Sequence, residues 1–469
     1  MITTNNLCLG LSLSICTLTA ACGQAQNPAG FDAAAEASGT LEDGTEWRID
    51  VPENFNGTLL IGLDYAGGQY RNQESATLLG QGYALAGTTR LITGWDTEAS
   101  IANQQAVLDL VEQQFGVPQH TIAYGRSLGA HTASAIVHYH PERFDGALLA
   151  CGGLAGVVGM WNQKLDAMFV IKTLLATDNP NYPVMNVPDD FAERARPAWI
   201  AMLAEAQATP AGKARIALAA VLGQLPVWAD GGKDLAEPFD LDGLQDGLFD
   251  SLAGSPLPLA GQAMSSRNEL TRRSGGSISF NTNVDYRTML RNLANADIVY
   301  ELYRLAGLDI ETDLDKLAEA PRVSADVDAL QWAATQVWHG NLPFPVLTMN
   351  NIGDNISAVA AQESFQRTVN RRGDPELLRQ VYVNSAGHCG FSPAETATAI
   401  DTLVDRLDSG SWDDTTNHFT MNSKASLLEA GEARFIDYTP ETFQRHFDIC
   451  DLMAYDEIEI PDGITYCAE

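Results

Sequence analysis

A chain of 469 residues with 45% hydrophobic and 19% charged residues has apolar material for one large core, or for one core carrying a big insertion. Its formal net charge of −32 argues against nucleic acid or an anionic membrane surface as a partner, because the long-range field repels phosphates. Arginine supplies 22 of the 28 basic residues and lysine six, which fits a salt-adapted acidic surface or simply a soluble secreted protein.

Along the chain, Leu7 to Ala21 is an almost uncharged run of 15, the length of a signal-peptide core and too short to span a membrane. No later segment is a transmembrane candidate. The run ends in Leu18-Thr19-Ala20-Ala21-Cys22, which resembles a bacterial lipoprotein cleavage site with Cys22 as the lipidated residue. No Lys or Arg precedes the run, and Leu18 lies one place earlier than the usual leucine. Residues 1–22 are therefore read as an export signal, with a lipid anchor at Cys22 as an option. That places the protein as secreted, periplasmic or an outer-membrane lipoprotein.

After a small-residue tether, the turn Glu42-Asp43-Gly44 predicts antiparallel strands feeding a buried strand at Thr58 to Leu63. A short helix is expected near Gln73 to Leu79 and a strand at Tyr83 to Thr88. Ile101, Leu108, Val111 and Phe115 keep helical spacing up to Gly116 and Pro118. Thr121 to Tyr124 reads as a strand, Ser127 opens a helix, and "FDGALLACGG" at 144–153 holds the next strand. This alternation indicates a mostly parallel α/β sheet. It stops at Leu154. Up to about Pro343 the text is helix-like, with 213–225 its clearest helix and an acidic loop carrying Asp240, Asp242, Asp246 and Asp250. Sheet text resumes at 344–354, followed by a helix around Val359 to Val369 and a strand at 378–383. The expected organisation is a core in two parts, 38–155 and 343–410, separated by a helical lid or cap at 156–342. An acidic extension, 411–469, packs on the core without chemistry of its own.

The stretch "TIAYGRSLGAHTA" at 121–133 places Ser127 at a strand-to-helix turn between Gly125 and Gly129. Such a turn projects the hydroxyl above the sheet edge, keeps small residues where strand and helix approach, and leaves the amide of Leu128 free for an oxyanion. A serine hydroxyl needs a histidine base and an acid to orient it, in the chain order Ser, acid, His. Asp354 lies just past the strand Val346 to Met349, and His388 just past the strand ending at Val383, so both fall on the same sheet edge as Ser127. On these residues the chain resembles an α/β-hydrolase over about 40–155 and 340–410. The resemblance implies Ser127 as nucleophile, His388 as general base and then acid, and Asp354 as the group that orients His388. Many relatives place His-Gly after the third strand. Here Asp64-Tyr65-Ala66-Gly67-Gly68 stands there, so the backbone amide of Tyr65 or Ala66 is expected to complete the oxyanion site.

Other candidates read as structural. His131 shares the Ser127 helix on its buried side, His138 and His140 lack a carboxylate or cysteine cluster that would make a metal site, and Asp374 suits a helix cap. No CxxC or zinc spacing occurs, and nothing calls for a metal or cofactor. Setting aside Cys8, Cys16 and Cys22, four cysteines remain, an even number suited to an oxidising compartment and open to three pairings. Cys450 and Cys467 are close neighbours that could staple the tail, leaving Cys151 to meet Cys389. A second, partial resemblance is to tannase-like and feruloyl-type esterases, in which a cysteine after the histidine bridges to one just before the serine. Cys389 fits that pattern but Arg126 occupies the other place. Trp95, Trp161 and Phe391 fall where loops converge on the site, implying an aromatic or apolar group in the substrate, though each also suits plain core.

The reading is an exported serine hydrolase acting on small-molecule or polymeric carboxylic esters through an acyl-enzyme. The rivals are a serine peptidase of prolyl-oligopeptidase or aminopeptidase type, with acidic residues of the insertion gripping an amine, and a hydrolase-fold protein that only binds.

Overall fold

The computed structural model describes residues 30–31, 34–68, 72–455, 457–461, 464 and 467; the expected export segment and Cys22 lie outside the described residues. Strand β1 (Ala35–Thr40) pairs antiparallel with β2 (Glu46–Val51) around the predicted turn. There Asp43 accepts from the Thr45 amide at 2.8 Å. The apolar run at 58–63 becomes β3 (Thr58–Leu63), followed by α1 (Gln73–Gly80), β4 (Ala84–Thr88), α2 (Thr97–Gln114), β5 (His120–Arg126), α3 (Leu128–Tyr139) and β6 (Gly146–Ala150).

Between β6 and the next strand lie only helices and loops: α4 (Gly156–Leu175), α5 (Ala195–Gln207), α6 (Pro210–Leu222), α7 (Leu241–Phe249), α8 (Leu259–Ser274), α9 (Tyr286–Arg291), α10 (Ala296–Leu305), α11 (Ile310–Glu319) and α12 (Val327–Ala333). The chain then closes with β7 (Val346–Gly353), α13 (Ala361–Arg372), β8 (Leu378–Ala386), α14 (Pro393–Ser409), α15 (His418–Leu427) and β9 (Phe435–Ile436).

The nine strands form one sheet in the order β1-β2-β4-β3-β5-β6-β7-β8-β9, with β3 to β8 mutually parallel and β1, β2 and β9 antiparallel at the edges. Parallel strands are buried on both faces, which is why they read as continuous apolar runs. Leu59 and Ile61 face one layer with Ile101, Val107 and Ile136 of α2 and α3. Leu60, Ile122, Leu148 and Leu347 face the other, with Leu78 of α1 and Ile400 and Leu403 of α14. The helices α4 to α12 bury a separate apolar cluster of their own, including Trp161, Trp199, Leu218 and Met264. Among the described residues no helix is long and apolar enough to cross a membrane.

Two expectations are corrected here. The acidic stretch near Asp240 is not a loop but helix α7. Asp240 caps it by accepting from the Gly243 amide at 3.0 Å, and Leu244 and Leu248 turn inward. The C-terminal stretch does more than lie on the core. Its β9 joins the sheet edge, with Val383 opposite Phe435, and its Phe447, Ile449 and Leu452 enter the helical cluster. Arg445 there meets the fully buried Asp166 of α4 at 3.1 Å.

The Ser127 turn depends on one glycine more than the other. A Cβ at Gly125 would stand 2.1 Å from the carbonyl carbon of Gly129, a backbone atom that cannot swing aside. A Cβ at Gly129 would meet its nearest atom, the carbonyl oxygen of Leu63, at an ordinary 3.4 Å. Gly125→Ala is therefore expected to cost ~3 kcal/mol of stability and to displace the serine, while Gly129→Ala keeps the fold. Thermal melts of the two variants check this, and equal melting temperatures would contradict it.

Candidate active site

Because β5, β7 and β8 run parallel, their carboxyl ends share one edge of the sheet. Ser127 follows β5 directly, Asp354 follows β7, and His388 lies two residues past β8. Ser127 sits at φ 56°, ψ −120°, a left-handed conformation that a non-glycine residue adopts at a cost, and its amide is held by the Ala150 carbonyl of β6 at 3.1 Å. This turn aims the hydroxyl off the sheet.

The three side chains meet. The distance from Ser127 Oγ to His388 Nε2 is 2.7 Å, and His388 Nδ1 lies 2.9 Å from Asp354 Oδ2 and 3.0 Å from Oδ1. Asp354 is fully buried. Its Oδ1 accepts from the amides of Ile356 and Ser357, both at 2.8 Å, and its Oδ2 from the Cys389 amide at 3.1 Å. Every one of these partners is a donor, so the geometry suits an ionised carboxylate, which only accepts. The histidine loop is braced in turn by Asn351 of β7, whose Nδ2 donates to the Gly387 carbonyl at 2.8 Å. Asn351 escaped sequence reasoning, since an asparagine inside a buried strand carries no pattern that distinguishes it.

Both expected disulfides are present, Cys151 to Cys389 with Cα atoms 5.4 Å apart and Cys450 to Cys467 at 5.2 Å. The first joins the end of β6 to the residue after His388. Its sulfurs lie beside Asp354 but are consumed by the bridge, so they offer no thiolate to a metal. Arg126, the residue that breaks the tannase-like pattern, still reaches this loop. It donates to the Cys389 carbonyl at 2.6 Å and pairs with Glu74 at 2.5 Å.

A partly open cavity lies beside Ser127, lined among others by Leu128, Trp95, Trp161, His131, Lys164 and Gln262. Trp95 and Trp161 meet edge to face with centroids 5.6 Å apart. His131 packs between Trp95 and Trp338 with its Nε2 3.1 Å from Gln336, and burial pushes its pKa down to about 4, so it is neutral at neutral pH. Lys164 is buried, and desolvation brings its pKa down to about 7 against the opposing pull of Asp354. Neither Lys164 nor Gln262 was anticipated. Lys164 stands one helical turn after Trp161, a spacing that puts both on one face of α4 and was the available signal.

Leu128 is the first residue of α3, so its amide has no acceptor within the helix and opens at Ser127. Tyr65 follows Asp64, which takes a positive φ of 79°, but its hydroxyl turns to Asp50 at 2.5 Å. Tyr65 lines a different cavity, beside α1. Phe391 is not brought to the Ser127 cavity. It joins the α14 side of the core, under the Arg126 guanidinium at 5.6 Å. His138 and His140 are also apart: His138 stacks on Trp338, and His140 meets Glu98 at 3.2 Å. Asp374 caps a turn by accepting from the Glu376 amide at 2.9 Å.

The sheet order, the strained serine turn and the shared strand edge are those of the α/β-hydrolase fold, and the protein is a hydrolase of that type. It belongs to the family of an o-phthalyl amidase from Xanthobacter agilis, with 32% identity over 433 residues, 86% of this chain and 93% of that one. No family model matches the chain. Solved structures similar to it include the esterase Pf2001 of Pyrococcus furiosus (TM-score 0.37, 9% identity, 80% of this chain and 91% of that one). Feruloyl esterase B of Aspergillus oryzae is another (TM-score 0.36, 13% identity, 80% of each chain).

Proposed function

We propose that the protein is an exported serine hydrolase that cleaves an amide or ester of an o-phthalyl type acyl group. The observation that carries this reading is the continuous contact from Ser127 through His388 to Asp354 beside an aromatic-walled cavity. The kinship with an o-phthalyl amidase moves the expected bond from ester alone toward amide as well.

In this reading His388 Nε2 takes the Ser127 proton as Oγ attacks the acyl carbonyl, and the Leu128 amide binds the oxyanion, with the Tyr65 or Ala66 amide as its second donor. Collapse breaks the C–N or C–O bond while His388 returns the proton to the leaving amine or alcohol. Water then repeats the sequence on the acyl-enzyme, with His388 as base, and releases the acid. Asp354 holds the imidazole tautomer throughout. Helices α4 to α12 act as the cap, of which α4 and α8 wall the cavity. Export, with or without a lipid at Cys22, is supported by the leader-like sequence and by two disulfides, which persist in oxidising compartments.

The test is a panel of 4-nitroanilides and phenyl esters run on purified protein, with 2-carboxybenzoyl, benzoyl and aminoacyl groups. The 2-carboxybenzoyl compounds are expected to turn over fastest and to release phthalate. Faster cleavage of the aminoacyl anilides would transfer the assignment to the peptidase reading.

A further inference from the structure

Lys164 is the one charged side chain among the described residues that line the Ser127 cavity. It leaves α4 with only 3% of its surface exposed. Among the described residues its Nζ makes a single hydrogen bond, to the Ile356 carbonyl at 2.5 Å, and it lies 5.9 Å from the centre of the Trp161 ring. An ammonium has three donors, so two remain for something other than the protein. Bracing a backbone carbonyl needs only a neutral donor. Burying an ionisable amine for that purpose alone costs desolvation free energy that a glutamine would not. The cavity shows a second unmatched polar atom, Gln262 Oε1, which has no partner among the described residues while its Nε2 donates to Ser266 at 3.2 Å. The wall therefore offers aromatic faces, one amine with donors to spare and one spare acceptor beside the serine.

We propose that Lys164 is the specificity residue of this site, selecting acyl groups that carry a carboxylate by pairing its ammonium with that carboxylate inside the cavity. The inference rests on the proposed acyl-transfer reading and deepens it. In a 2-carboxybenzoyl group the carboxylate and the scissile carbonyl sit on adjacent ring carbons. A ring held against Trp95 and Trp161 would then present one group to Lys164 and the other to Ser127. The pairing also offsets what the rest of the molecule imposes, since a chain with net charge −32 otherwise repels an anionic substrate.

The test is a selectivity ratio, kcat/KM for 2-carboxybenzoyl 4-nitroanilide over that for its methyl ester, which has the same shape without the charge. In Lys164→Met and Lys164→Gln the ratio is expected to fall ~30-fold, the effect of losing one charge-assisted hydrogen bond, and Lys164→Arg should restore most of it. A ratio that stays at the wild-type value would overturn the proposal, because a merely structural lysine lowers both rates together. Calorimetry decides independently of turnover. Phthalate should bind the wild-type protein, more weakly the Lys164→Met variant, and more tightly than dimethyl phthalate. Equal binding of diacid and diester to the wild type would sink the idea. If the wild type cleaves neither anilide yet binds phthalate through Lys164, the proposed substrate falls while the carboxylate subsite stands.

Discussion

Ser127→Ala is expected to lower kcat/KM by roughly 10⁴-fold to 10⁶-fold and to abolish covalent labelling by a fluorophosphonate, with the melting temperature preserved. The small hydroxyl contributes little to the core, so its loss removes the proposed attacking atom and leaves the turn, which Gly125 and the Ala150 carbonyl hold. His388→Ala should cost about as much on its own, and the double variant little more than either, because in the proposed mechanism base and nucleophile act as a single device across the 2.7 Å contact. Labelling that persists in Ser127→Ala would move the nucleophile elsewhere. Additive losses in the double variant would mean the two groups act separately.

Asp354→Asn should lower kcat by ~10⁴-fold while the protein stays folded, as a wrong imidazole tautomer does elsewhere. The direction follows from the donors around the carboxylate. Oδ1 faces two amides, those of Ile356 and Ser357, so the carboxamide oxygen of an asparagine would settle there. Its NH₂ would then occupy the Oδ2 position, facing His388 Nδ1 and the Cys389 amide. Nδ1 lies 2.9 Å from that position and 3.0 Å from Oδ1, so the NH₂ competes with the oxygen for Nδ1 and favours the tautomer in which Nδ1 accepts. With the proton on Nε2, the histidine could not take one from Ser127 in the proposed mechanism. Steady-state kinetics beside thermal melts separate this from unfolding. Near-normal turnover would show that another group orients His388.

The parts of the site legible in the sequence are those that depend on strand ends. A glycine-flanked serine after a β-prone run, an aspartate past one apolar strand and a histidine past the next were placed correctly on one sheet edge because parallel strands share polarity. Phe391 was misjudged by the same logic. It stands three residues after His388, but the chain turns at His388 and Cys389 and the ring packs with the core layer of α1 and α14. Helix α7 was hidden by its aspartates and by Gly243 and Gly247, which lower helix propensity. Gly247 is there for packing, since a Cβ would stand 1.7 Å from the Val227 carbonyl oxygen. Strand β9, two residues long, takes its identity from the partner β8 and has no periodicity to read. Lys164 shows the general difficulty. A cation in an apolar helix reads as a surface position until the fold shows which helices cover it.

The bridge from Cys151 to Cys389 spans 238 residues of sequence, so every helix from α4 to α13 lies inside one closed ring of chain. A protease that nicks this ring once, for instance at Arg194, whose side chain is 70% exposed, does not divide the molecule. The piece carrying Ser127 and the piece carrying Asp354 and His388 remain a single covalent species. Such a protein would migrate as one band without reductant and as two with it. The serine and its histidine therefore remain covalently linked after a cut between them.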